Sequence, residues 1–185
     1  MKLKLMIIGL LGLGLSGAPA FAADVPAQTP AQTPAQPARP GTVNYVEGTA
    51  YLDGQPLNSN QAGNTAVEAG QEFSTAKGRA EILLTPGVFL RLDDDSTIKM
   101  ISPDLTLTQV ELEKGRAGIE VDEIHDQNHL QVIDAGVTTR LNKNGYYEFD
   151  ANNPTAMVFK GEAHTQVAEG KWRKIKGDHE LLLTG

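Results

Sequence analysis

The tetrapeptide Lys-Gly-Arg-Ala occurs twice in this chain, as Lys77-Gly78-Arg79-Ala80 and as Lys114-Gly115-Arg116-Ala117. Looser Gly-x-Ala copies stand at Gly48-Thr49-Ala50 and Gly161-Glu162-Ala163, with Val46 and Phe159 two positions ahead of their glycines. The spacings between these glycines are unequal, whereas a regular solenoid keeps a fixed period. A glycine that supplies a turn, followed by an alanine that opens an inward-facing strand where space is short, accounts for the pattern. The expectation is an all-β chain of repeated hairpins in an irregular β-roll, solenoid-like or sandwich arrangement, with Gly48, Gly78, Gly115 and Gly161 as structural turns.

The stretches between the repeats agree. From Gly41 onward, short apolar-polar alternation is punctuated by Gly, Asn or Asp every eight to twelve residues, the pattern of short strands. Ala80, Ile82 and Leu84 share one face, Thr85-Pro86-Gly87 reverses the chain, and Val88, Leu90 and Leu92 return on that face. Leu130 and Val132, the turn Asp134-Ala135-Gly136, then Val137, Thr139 and Leu141 form a comparable unit. Asn144-Gly145 signals a further turn before Tyr147 and Phe149, which share the core parity, while Tyr146 faces outward. The one stretch open to a helical reading, Gln61 to Gln71, is weakened by Gly63 and Gly70.

Ahead of this domain the composition is different. Met1 to Lys4 carry two lysines, Leu5 to Leu15 are apolar, and Ala20-Phe21-Ala22 offers small residues for cleavage, so residues 1–22 are expected to be a signal peptide cut before Ala23. The apolar run is shorter than the roughly 18 residues of a membrane span. Residues 23–40, with prolines at 26, 30, 34, 37 and 40, are expected to form an extended linker rising about 3.1 Å per residue. Residues 41–185 form the domain. The expected compartment is the periplasm or the exterior, and with no cysteine in the chain neither a lipid anchor nor a disulfide supports it. A net charge of −7, more acidic still after loss of Lys2 and Lys4, makes nucleic acid and anionic lipid poor partners.

The ordered set of turn and strand patterns resembles the FecR domain family. Its landmarks are Gly41 to Leu52 with Val46-Glu47-Gly48-Thr49-Ala50, and Gly70 to Leu92 with Thr75-Ala76-Lys77-Gly78-Arg79-Ala80. Leu112 to Val121, Val132 to Asp150 and Val158-Phe159-Lys160-Gly161-Glu162-Ala163 complete the set. The resemblance implies an all-β periplasmic domain used for protein contact or signal transmission, without a catalytic motif. Sensor members place a cytoplasmic helical segment and a membrane helix ahead of this domain; neither is expected here, so any signalling role would run through a separate membrane protein.

Motifs that carry chemistry are sparse. His125 and His129 have ligand spacing only if helical, and the local pattern is a loop, so no metal site is expected there. Asp93-Asp94-Asp95 reads as a turn between strands rather than a calcium loop. Glu111 with Glu113, and Glu120 with Asp122, fall at period two on a solvated strand face, and no nucleophile elbow or phosphate loop occurs in the domain. No cofactor is expected. Trp172, flanked by Lys171, Arg173, Lys174 and Lys176, is the basic island of an acidic chain. Burial of the indole is the plainer expectation; contact with an envelope protein or glycan is the sharper one. The functional expectation is a noncatalytic exported module presenting a β surface to such a partner. A periplasmic sensor or regulator is the alternative, and a hydrolytic envelope enzyme the minor one.

Overall fold

The computed structural model describes residues 39–166 and 170–183. The leader 1–22 and most of the linker lie outside them. Fourteen strands are present among the described residues: β1 (Thr42–Leu52), β2 (Gln55–Leu57), β3 (Glu72–Thr85), β4 (Val88–Leu92), β5 (Thr97–Asp104), β6 (Leu107–Lys114), β7 (Arg116–Val121), β8 (His129–Asp134), β9 (Val137–Leu141), β10 (Gly145–Asp150), β11 (Thr155–Lys160), β12 (Glu162–Gln166), β13 (Trp172–Lys176) and β14 (His179–Leu182). The stretch open to a helical reading holds only the end of one 3-10 turn, Ser59–Gln61, followed by a loop that inserts Val67 into the core.

The strands run in the order β13-β12-β9-β8-β6-β5-β3-β4-β7-β10-β11-β14, with β1 against β3 and β2 against β1. The β6–β8 pair is parallel and every other pair among the described residues is antiparallel. Both hairpins expected from the sequence form in register, Ala80↔Leu92 and Ile82↔Leu90 in one, Leu130↔Leu141 and Val132↔Thr139 in the other.

The repeated glycines explain how this ladder folds over its core. The early part of β3 pairs with β5 and its later part with β4, so the strand changes neighbours around Gly78. Gly115 is the single residue between β6 and β7, and Gly161 the single residue between β11 and β12. In each case one long strand bends and passes from one half of the ladder to the other. Gly48 and Gly78 therefore do not reverse the chain: they face each other within β1 and β3, at φ 77° and 151°. A side chain at either would strike the opposite backbone, at the Lys77 carbonyl oxygen for Gly48 and the Glu47 carbonyl oxygen for Gly78.

Each alanine after a corner is buried, Ala50, Ala80, Ala117 and Ala163 alike. Their smallness has a packing reason. Along one cross-strand row, Val46, Ala80, Leu92, Ala117, Phe149 and Ala156 sit side by side, so small residues receive the bulk of their large neighbours. The next row, Val43, Ile82, Leu90, Ile119, Tyr147 and Val158, is large throughout, and both rows belong to one core cluster. Tyr147 carries the polar exception: its hydroxyl donates to the Lys143 carbonyl at 2.5 Å, accepts from the Glu162 N–H at 3.2 Å, and fills the space where Gly161 lacks a side chain.

Asp134 is a buried carboxylate. It ends β8 between Leu112 and Val137, fully buried, and neither carboxylate oxygen has a hydrogen-bond partner among the described residues. Burial, with a smaller push from the charge of Asp150, raises its pKa to about 6.

Candidate functional site

Two surfaces stand out. The first is the edge formed by β13 and β14, which holds the basic island. β13 pairs only with β12 and β14 only with β11, so the far side of both strands is open among the described residues. Gly177-Asp178 separates the two strands opposite the Gly161 corner, and together they follow the bend of β11 and β12. At the other end of the ladder the two ends of β1 are covered: Val43 donates to the Thr65 carbonyl at 2.8 Å, Gly63 donates to the Val43 carbonyl at 2.7 Å, and β2 lies along Ala50–Leu52.

Trp172 is 38% exposed, not buried as the plainer expectation had it. Its position on an edge strand leaves one flank without a neighbour, and the Arg140 guanidinium covers one ring face at 4.0 Å from the centroid. Lys174 pairs with Glu162 at 2.9 Å, which holds the Glu162 carboxyl below its ordinary range. Arg173 and Lys176 are exposed and make no ion pair among the described residues, and Lys171 is exposed beside them. A groove of about 240 Å³ follows the bend, with Ile175 and Leu181 among Arg173, Lys176, His179 and Glu180.

The second surface was not anticipated from the sequence. A groove of about 390 Å³ lies on the outer face of β1, β3, β4, β7 and β10, with Tyr45, Arg79, Arg91, Arg116, Tyr146 and Glu148 around it. The two Lys-Gly-Arg-Ala copies supply Arg79 and Arg116, which point outward because Ala80 and Ala117 point inward. Arg91 joins Glu81 at 3.0 Å and Glu120 at 2.6 Å, and Arg116 joins Asp150 at 3.2 Å. Tyr45 donates to Glu47 at 3.0 Å, a bond that raises the phenol above its ordinary pKa. Parity alone placed these arginines outside; the β4–β7 pairing that gathers them is long-range and left no local signal. Most of its charge is spent internally, on ion pairs that span neighbouring strands.

The remaining candidates stay apart. His125 lies in the loop before β8, 3.3 Å from Glu123, and His129 opens β8. No group of three His, Asp or Glu side chains fit to hold a metal ion occurs among the described residues. No helix among them is long and apolar enough to cross a membrane.

No curated protein matches this chain. Two crystal structures of a candidate anti-sigma factor from Parabacteroides distasonis ATCC 8503 are similar in fold, each at TM-score 0.51 and 14% identity over 59% of this chain. The match covers 52% of that protein, so this chain corresponds to about half of it. The family model described as FecR protein matches residues 71–171, which run from the start of β3 to the threshold of β13 and take in the Gly78, Gly115 and Gly161 corners. With more than half of its residues matched, this chain belongs to the FecR protein family.

Proposed function

We propose that this chain is an exported regulatory module that works by binding: it contacts a protein partner through the β13–β14 edge and passes a signal on through a separate membrane protein. Membership of the FecR family and the fold shared with the Parabacteroides protein support a regulatory role. The observation that carries the contact site is the edge that no strand covers among the described residues, where Arg173 and Lys176 make no ion pair with any of those residues. A polypeptide partner is favoured over a glycan, because the edge offers backbone groups and cations while one indole face is taken by Arg140. In this reading the leader 1–22 delivers the chain to the periplasm, the proline-rich linker holds the domain away from its surroundings, and no step of catalysis is involved.

A photoreactive amino acid placed at Arg173 in the exported chain should yield one discrete crosslinked protein in living cells. The same probe at Asn60, in the 3-10 turn, should not. A ladder of products of equal strength from both positions, or none from either, would remove the contact site.

A further inference from the structure

We propose that the β13–β14 edge takes up an extended, acidic segment of its partner as an added β-strand. This rests on the functional reading above and names the chemistry of the partner at the same site.

Backbone geometry comes first. Along an edge strand every second residue turns its N–H and C=O away from the sheet, a template for another strand. Residues 172–176 and 179–182 present such a template on two connected strands. At the other end the 63–67 loop covers the start of β1 and β2 covers its last three residues, whereas β13 and β14 have no strand on their far side among the described residues.

Charge then selects the occupant. Lys171, Arg173, Lys174 and Lys176 stand on or beside this edge in a chain of net charge −7. Lys174 is engaged by Glu162, while Arg173 and Lys176 have no carboxylate partner among the described residues. A second copy paired β13 to β13 would bring the same cations against them, and like charges placed across a ladder are destabilising; the acids of this edge, Asp178 and Glu180, lie on the turn and on β14. The lysines that discourage self-pairing are thus the ones that attract Asp and Glu on an incoming strand.

Shape adds a side-chain requirement. The groove of about 240 Å³ runs past Ile175 and Leu181; on β13, Lys174 and Lys176 share one face and Arg173 shares the other with Ile175, so an incoming strand that alternates acidic with small apolar residues meets Lys174 and Lys176 on one face and aliphatic surface beside Arg173 on the other.

Three synthetic ten-residue peptides test this with the exported full chain: one alternating Glu with Val and Thr, the same peptide N-methylated at alternate residues, and the same with Lys in place of Glu. Hydrogen exchange is read residue by residue. The acidic peptide should slow exchange across residues 172–182 by about tenfold or more, and the N-methylated and Lys peptides should not. Arg173→Glu with Lys176→Glu should weaken the acidic peptide by about tenfold with the melting temperature unchanged. Equal protection by the N-methylated peptide overturns strand addition, and equal protection by the Lys peptide overturns the acidic preference. Protection elsewhere, none at all, or a chain dimer formed through this edge overturns the proposal outright. A crosslinked partner at Arg173 without peptide protection would leave the regulatory reading standing and this one refuted. Protection without any crosslinked partner would do the reverse.

Discussion

Alanine at Gly48 should lower the folding stability by about 3–5 kcal/mol, and alanine at Gly78 by a similar amount, because each combines a strained backbone with an impossible contact. Gly48 holds φ 77° and Gly78 φ 151°, where L side chains are rarely found. The obstacle to the new methyl is main chain in both cases, the Lys77 and Glu47 carbonyl oxygens, and main chain cannot swing aside as a long side chain does. Gly54 is the control. It has φ 72° but nothing within 4 Å of an added Cβ, so Gly54→Ala should cost only about 1 kcal/mol. Urea denaturation of the three variants measures this. Equal losses at Gly48 and Gly54 would show that the close approach of β1 and β3 is unimportant and that only backbone conformation matters.

Asp134→Asn should stabilise the protein above pH 6 and remove part of its pH dependence. The folded pKa of about 6 lies above the 3.8 of an ordinary Asp, so the folded state holds this proton more tightly than the unfolded state does. The stabilisation by protonation is therefore complete below about pH 4 and is lost as pH rises through the folded value near 6. A shift of that size corresponds to about 3 kcal/mol; relaxation and water entry around a carboxylate near the end of a strand reduce the expected effect to about 1–2 kcal/mol. Of the neighbours, Leu112 on β6 and Val137 on β9 are apolar, and Asp150 on β10 is the charged group that acts on it. Arg116 on β7 in turn pairs with Asp150. Melting temperatures of the two proteins from pH 4 to 8 should converge at the acid end and separate at the alkaline end. Parallel curves would show that Asp134 is solvated or partnered in solution.

The contrast between these two sites shows what local sequence carries. The hairpins around Pro86-Gly87 and Ala135-Gly136 were legible because alternation and turn residues lie within a few positions of each other. Asp134 was read as part of the second turn, yet the turn is made by Ala135 and Gly136, at φ 49° and 75°, and Asp134 closes the inward-facing set of β8. An Asp beside Gly is ordinary turn chemistry, and nothing nearby announces that the core lies on its side. The same limit applies to the repeat. Gly-x-Ala marked four special places, but whether the glycine reverses a strand or bends it depends on which strands meet there, and that is fixed by packing across the core. The parallel β6–β8 pairing and the β4–β7 contact that gathers Arg79, Arg91 and Arg116 were hidden for the same reason. At the basic island, composition marked Lys171 to Lys176, while the openness of the edge emerged only from the strand order.

Complementation tests the regulatory role most directly. Transcripts are compared in a strain lacking the chain, the same strain carrying the wild-type chain, and the same strain carrying the Arg173→Glu, Lys176→Glu chain at equal abundance and equal melting temperature. A defined set of transcripts is expected to change on deletion, return with the wild-type chain, and stay altered with the double variant. Full restoration by the double variant, or no transcript change on deletion, would contradict that role.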